Sequence, residues 1–263
     1  MNPQQVSELA AYILQAQDEK YEIRKLTAEK YPDLTIDEAY LIQEQLMKMR
    51  LARGDAILGP KMGLTSYAKL KQMHVTDPIY GYIFKSMHVP EGSTIMLTNY
   101  IHPKVEPEIG FILKNELKGP NMTKEQVLEA TEYVFPAIEI IDSRFENFDF
   151  TMPDVIADNT SASGAVMGTT MRKATSLDLE TIGVYLTING KVKTIGAGAA
   201  VLGHPAEAIA ALANMLAEKG EVVEAGQPIL SGGLTAATTI AKGDHIAVYF
   251  GENLGSVEFF VAN

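Results

Sequence analysis

The chain opens on helical periodicity. Val6, Leu9, Ala10, Ile13 and Leu14 recur at steps of three and four, which places them on one face of a helix. A second helix begins at Thr35-Ile-Asp-Glu38, where a hydroxyl and a carboxylate three residues apart satisfy each other's backbone N–H groups as a capping box. Ile36, Ala39, Tyr40, Met47 and Leu51 continue its apolar face until Gly54 stops it. From Ala56 to Tyr82, short apolar runs alternate with Gly59, Pro60, Gly63, Pro78 and Gly81, which predicts strand, turn and a short helix around residues 68–73. Strands dominate after residue 90. They are expected at 105–113 and 134–142, with a helix between them that opens at a second capping box, Thr123-Lys-Glu-Gln126. Val184 to Ile188 alternates, and Asn189-Gly190 suits a two-residue hairpin turn in which both positions need positive φ. Pro205 to Lys219 reads as a helix with proline in its first turn and Gly220 past its end, and strands at 227–231, 245–250 and 255–261 finish the chain. The expected fold is α+β, with a smaller, mainly helical N-terminal part over 1–82 and a β-rich body with covering helices over 83–263.

Composition narrows the classes. A formal net charge of −11 argues against nucleic acid and anionic membranes as partners, while leaving room for an anionic substrate if a metal or local cations reverse the field. There is no cysteine, which excludes disulfides, thiol nucleophiles and zinc–thiolate sites. The N-terminus, Met1-Asn-Pro-Gln-Gln, lacks a basic segment followed by an apolar stretch, and no apolar run approaches the roughly 18–20 residues of a membrane span. A soluble, cytoplasmic protein is expected.

The candidate chemistry centres on acids. Glu106 and Glu108, in His102-Pro-Lys-Val-Glu-Pro-Glu-Ile109, lie on the same face of an extended strand, with Val105, Pro107, Ile109 and Phe111 on the other. Glu139 stands in an apolar run, Val134-Phe-Pro-Ala-Ile-Glu-Ile-Ile141. A solvated edge strand accounts for a Glu-x-Glu pair alone, but an acid inside an apolar strand needs a partner. Three carboxylates without Cys or His suit a hard cation such as Mg²⁺ or Mn²⁺. Lys61, between Gly59 and Gly63, reads either as a surface lysine in a turn or as an ammonium brought close to a ligand; the P-loop order is absent. Ser231-Gly-Gly-Leu-Thr235 and Asp158-Asn-Thr-Ser161 are polar loops able to aim N–H groups and hydroxyls at a carboxylate, or plain turns. The histidines at 74, 88, 102, 204 and 245 are scattered, with His204 before Pro205 read as a structural or capping residue. Asp142-Ser-Arg144 reads as a local salt bridge or strand-end turn.

Taken in order, Gly59-Pro-Lys-Met-Gly-Leu-Thr-Ser66, Asp77-Pro-Ile-Tyr-Gly81, the 102–109 and 138–144 segments, Ala157-Asp-Asn-Thr-Ser161, Gly196-Ala-Gly-Ala-Ala-Val-Leu-Gly-His-Pro205 and Ser231-Gly-Gly-Leu-Thr235 resemble the family of 2-oxopent-4-enoate hydratases and 4-oxalocrotonate decarboxylases of catechol meta-cleavage, within the fumarylacetoacetase-like superfamily. The resemblance spans nearly the whole chain. It implies a mixed β-sheet roll, Mg²⁺ or Mn²⁺ held at Glu106, Glu108 and Glu139, and Lys61 in the active site. Hydratases of the family carry an acid where this chain has Ile79, so the resemblance implies the decarboxylase branch. The implied reaction is loss of CO₂ from 2-oxohex-3-enedioate to give 2-hydroxypenta-2,4-dienoate, with Ile79 beside the departing carboxylate and Ser161 and Thr235 holding the other. It also implies a small 2-oxo dicarboxylate substrate, a homo-oligomer, and a complex with the hydratase. A hydratase, a related C–C hydrolase or oxaloacetate decarboxylase, and a non-catalytic carboxylate-binding subunit remain the alternatives.

Overall fold

The computed structural model describes residues 1–28, 30–72 and 75–263; Met73, where the expected short helix was to end, and His74 lie outside the described residues. The helices are α1 (Pro3–Glu19), α2 (Ile36–Ala52), α3 (Tyr67–Gln72), α4 (Lys124–Ala130), α5 (Met152–Ala157) and α6 (Pro205–Glu218). Local chemistry explains their starts. Thr35 with Glu38 and Thr123 with Gln126 form the expected capping boxes, and Asn2 with Gln5 forms a third at α1. His204 caps α6 through Nδ1, which accepts from Ala206 N at 3.0 Å.

The described strands are β1 (Ile57–Gly63), β2 (Ile79–Phe84), β3 (His88–Val89), β4 (Thr94–Met96), β5 (Lys104–Leu113), β6 (Thr131–Ile141), β7 (Ala162–Met167), β8 (Gly183–Ile188), β9 (Lys191–Ala197), β10 (Pro228–Leu230), β11 (Thr238–Thr239), β12 (His245–Phe250) and β13 (Gly255–Ala262). They form two mixed sheets. The larger runs β2-β1-β10-β5-β6-β7-β3, with β11 also paired to β5, and the smaller runs β4-β13-β12-β8-β9. Strands from both sides of residue 82 therefore share the larger sheet. The hairpin β8–β9 turns at Asn189 and Gly190 with φ of 53° and 73°, as that dipeptide requires.

Both faces of the β5–β6 pair are covered. On one, Val105, Ile109, Phe111 and Ile138 join a core that reaches Ile13, Ile42 and Leu46 of the N-terminal helices and Phe259 of the smaller sheet. On the other, Phe84, Phe135, Ala137, Ala165 and Leu230 make a second cluster. Each large side chain so buried contributes about 1.5–3 kcal/mol. The stretch Gly198–Glu218 is long and apolar enough by composition to cross a membrane, yet Ile209, Leu212 and Leu216 of α6 are buried in the core.

β2, β7 and α5 go unannounced by the sequence pattern. β7 reads Ala-Ser-Gly-Ala-Val-Met, too small in its side chains to show a β-branched alternation, because it packs beside the carboxylates.

Candidate metal centre and active site

Register builds the acidic cluster. In the antiparallel pair, Glu106 faces Glu139 directly and Glu108 faces Ala137, so the three carboxylates share one side of the sheet. One oxygen from each lies within 4.8 Å of the others. Glu106 is 8% exposed, and Glu108 and Glu139 are fully buried. Ala137 and Ala165, opposite Glu108 and Glu139, leave room for the carboxylates to converge.

Burial pushes the Glu108 carboxyl well above the usual range, and the negative charge of Glu139 adds to it. Burial raises Glu139 too, against the pull of Lys61. Glu108 Oε2 accepts from Gly232 N at 2.8 Å, whereas Glu108 Oε1 and Glu139 Oε2 are buried and accept no hydrogen bond among the described residues. Buried, unsatisfied carboxylate oxygens of this kind are destabilising unless a cation completes them. The donors are all hard oxygens, which fits Mg²⁺ or Mn²⁺.

A proline between the two glutamates is unusual for an interior strand. Pro107 O accepts from Leu234 N at 2.9 Å, so the Pro107 nitrogen faces the gap between β10 and β11, where no ladder bond is lost. The loop from Ser231 fills that gap. A Cβ on Gly233 would lie 2.7 Å from Glu106 Oε2, and one on Gly232, at φ +101°, only 2.1 Å from Thr65 Oγ1. Only glycine lets this backbone press onto the acids.

Lys61 lies in register with Leu230 and Gly81, and through Leu230 with Gly110, on the same face as the glutamates. It is 2% exposed. Its Nζ sits 3.0 Å from Glu139 Oε1, close enough for an ion pair though off the direction of a hydrogen bond, and donates to Thr160 O at 3.1 Å. The Asn159–Ser161 turn that presents this carbonyl has φ of 49°, 53° and 57° at three consecutive non-glycine residues. Left-handed backbone costs roughly 1–2 kcal/mol per residue, so the surroundings must impose it. The Asn159 amide bonds both N and O of Tyr82 at 2.9 Å, and Thr160 Oγ1 donates to Tyr80 O at 2.8 Å. Just before the turn, Asp158 is ion-paired with the buried Arg144 through Nε, and Arg144 Nη1 reaches Ser163 Oγ at 2.8 Å. Burial pushes the Asp158 carboxyl up to about 6, against the pull of Arg144. Of the salt bridge or strand-end turn expected at Asp142-Ser-Arg144, the salt bridge does not form. Asp142 instead accepts from Ile101 N and His102 N, both at 2.8 Å, because the strand end turns its carboxylate toward the start of β5.

Of the other expected site residues, Ile79 is buried opposite Gly63 on the face of Lys61, and a Cβ on Gly63 would touch Ile79 Cγ1 at 3.2 Å and Thr160 Cγ2 at 2.5 Å. Ser161 is buried, and its Oγ has no hydrogen-bond partner among the described residues. Thr235 follows Gly233 by two residues, but its hydroxyl lies 3.0 Å from Thr194 Oγ1 on β9. Sequence reasoning missed the pairing of Arg144 with Asp158 as the support of the 159–161 turn, whose only signal is an acid beside a hydroxyl-rich loop. Ser231, which opens the expected glycine loop, has a buried Oγ that is likewise unpartnered among the described residues. A cleft of about 730 Å³ lies elsewhere, against Tyr185, Ile195 and Tyr249 of the smaller sheet.

The sequence model of the Fumarylacetoacetate (FAA) hydrolase C-terminal family matches residues 61–262. The chain belongs to the fumarylacetoacetate hydrolase family. Its family region begins at Lys61 and contains the three glutamates. Among family members, the chain is 47% identical to the 4-oxalocrotonate decarboxylase of Pseudomonas sp. (strain CF600) over 94% of this chain and 93% of that protein. It is 37% identical to the 2-oxo-hept-4-ene-1,7-dioate hydratase of Escherichia coli over 95% of each. The solved 4-oxalocrotonate decarboxylase from Pseudomonas putida G7, complexed with magnesium and adipate, superposes with a TM-score of 0.96 at 43% identity, over 99% of this chain and 98% of that one.

Proposed function

We propose that this fumarylacetoacetate hydrolase family member is a metal-dependent carbon–carbon lyase that decarboxylates 2-oxohex-3-enedioate (4-oxalocrotonate) to 2-hydroxypenta-2,4-dienoate in catechol meta-cleavage. The observation that carries it is a buried three-carboxylate cluster with a paired lysine, in a chain that matches a decarboxylase at 47% and a hydratase at 37% identity. Glu106, Glu108 and Glu139 would hold the Mg²⁺ or Mn²⁺. When bound, the dication supplies Lewis-acid stabilisation to the 2-oxo carboxylate end of the substrate.

The chain's own residues supply the rest. The C5–C6 bond breaks, its electron pair passes through the C3–C4 alkene to the 2-oxo oxygen, and C6 departs as neutral CO₂. Ile79 gives that end an apolar wall, which disfavours the charged carboxylate more than CO₂ and keeps water from the alkene. The Lys61 ammonium, fixed between Glu139 and the Thr160 carbonyl, would donate a hydrogen bond and a proton to the oxygen that gains charge. The buried Ser161 hydroxyl offers a donor to a substrate carboxylate, and Thr235 reaches it if the Thr194 bond opens. The family resemblance extends the proposal to a cytoplasmic homo-oligomer that associates with 2-oxopent-4-enoate hydratase.

The test supplies 2-oxohex-3-enedioate with Mg²⁺ and follows CO₂, with and without chelator. Chelator-sensitive CO₂ release is expected. Loss of diene absorbance from 2-hydroxypenta-2,4-dienoate without CO₂ release would assign a hydratase instead, and oxalate binding with no turnover a carboxylate-binding subunit.

A further inference from the structure

β2 is the end strand of the larger sheet and pairs on one side, with β1. The free side of a covered strand leaves backbone donors and acceptors that something other than a strand must satisfy. Here side chains do it. Tyr80 N donates to the Tyr40 hydroxyl at 3.4 Å, and Tyr80 O accepts from Gln43 Nε2 at 3.0 Å. Tyr40 and Gln43 stand three residues apart on one face of α2, and the Tyr40 ring stacks on Tyr80 at 4.7 Å. Two residues along β2, the Asn159 amide takes both N and O of Tyr82 at 2.9 Å.

Gln43 stands out among these groups. It is 1% exposed, on a helix whose other buried residues are Ala39, Tyr40, Ile42 and Leu46. Its amide nitrogen uses both N–H groups, the second donating to Ile156 O of α5 at 3.0 Å. One side chain thereby joins α2, the free side of β2 and the helix that leads into the Asn159–Ser161 turn. An amide buried for packing alone costs more than an apolar side chain of the same length, because it must be stripped of water. The Tyr80 carbonyl that it grips also accepts from Thr160 Oγ1 at 2.8 Å, and the Thr160 carbonyl accepts from Lys61 Nζ at 3.1 Å.

We infer that Gln43, with Tyr40 beside it, is a positioning residue for the reaction. α2 stands in for the missing neighbour of β2 and fixes the Tyr80 peptide. Thr160 hangs from that peptide, and the Lys61 ammonium hangs from Thr160. The path runs through Gln43 to Tyr80, Thr160 to Tyr80 and Lys61 to Thr160, with no bond longer than 3.1 Å. Without Gln43, the Tyr80 carbonyl loses one of its two donors, and β2 and the turn are free to shift against α2. Lys61 then keeps its ion pair with Glu139 and loses its fixed direction. Gln43 lies ahead of the family region, so the N-terminal helices act on the chemistry as well as covering the sheet. The inference rests on the proposed role of Lys61 and deepens it.

The experiment measures kcat and KM for CO₂ release with saturating Mg²⁺, beside thermal melts, in the wild type, Gln43→Met, Thr160→Val and the double variant. Methionine matches glutamine in length without its donors, and valine matches threonine without its hydroxyl. Gln43→Met is expected to lower kcat about 10- to 100-fold with KM held within about 2-fold, as for a misplaced proton donor and not for lost binding. Thr160→Val should show the same split, and Thr160→Ser should recover most of its loss. In the double variant the two falls in kcat should not add, because both cut one path. Tyr40→Phe keeps the stack on Tyr80 and loses only the acceptor. It should show the same pattern at roughly 2- to 3-fold, and it decides the question if Gln43→Met does not fold. An unchanged kcat in both α2 variants, a change carried by KM, or full additivity with Thr160→Val overturns the inference. A full rate in Lys61→Met, or no CO₂ release by the wild type, would strike the proposed function and this inference with it; a rate lost in Lys61→Met but kept in Gln43→Met strikes the positioning alone.

Discussion

Glu139 shows what a single residue can and cannot announce. An acid inside an apolar run signals a site, and its companions at 106 and 108 signal a cation, but whether these groups meet is a matter of register. In the folded chain they meet because Glu106 is paired with Glu139 and not with a neighbour; a one-residue slip would send Glu139 to the opposite face. In the proposed reaction the choice of chemistry turns on Ile79, which is 1% exposed on the face of Lys61. Ile79→Asp is expected to lower CO₂ release by roughly 100-fold, within the 1–5 kcal/mol that desolvation mechanisms supply. Ile79→Val, which costs about 0.5–1.5 kcal/mol of stability, should keep the rate within a few-fold. Both are read by CO₂ assay beside thermal melts, and an unchanged rate in the aspartate variant removes the apolar-wall role.

At the scale of elements, the pieces with local causes were legible. The capping boxes at Thr35 and Thr123, the Asn189-Gly190 hairpin and α6 depend on residues within a few positions of one another. The Asn159–Ser161 turn was not, because nothing in Asn-Thr-Ser favours three left-handed residues in succession. Their conformation is imposed by Tyr80, Tyr82 and the Arg144–Asp158 pair, all distant in the chain except Asp158. The cap of α6 carries a pH dependence. Burial holds the His204 imidazole below its usual value, and Lys124 adds to the effect. The unfolded chain therefore takes up a proton at His204 before the folded chain does. Stability is whole above about pH 6.5 and is lost as the pH falls through that value toward the folded one. His204→Asn keeps a capping acceptor without a titration. Thermal melts between pH 7.5 and 5 should show the wild type falling relative to this variant, by no more than the worth of an N-cap, about 1 kcal/mol. Parallel curves would exclude the coupling.

For the whole molecule, the site is a product of sheet order. Lys61 comes from β1, the glutamates from β5 and β6, the glycine loop follows β10, and the turn over Lys61 precedes β7, so residues from 61 to 233 converge on one face. A cation held by the three glutamates would bridge β5 and β6. Mg²⁺ at 100 times its dissociation constant is expected to stabilise the fold by about 2.7 kcal/mol, and hence to raise the melting temperature by several degrees. Chelator should reverse the rise, and Glu106→Gln should fold without showing it; a full shift in that variant would remove Glu106 from the metal set. By itself the sequence determined most of the helices, with the caps at Thr35 and Thr123, several of the central strands, the three acids with their preference for a hard cation, and the family resemblance, because periodicity, turn chemistry and ligand type are local properties. Tertiary structure alone decided that the Glu-x-Glu strand is interior, that Lys61 pairs with Glu139, and that Arg144 turns to Asp158 instead of Asp142. Those outcomes depend on which strands become neighbours and in what register, and that is set by burying both faces of the sheet at once.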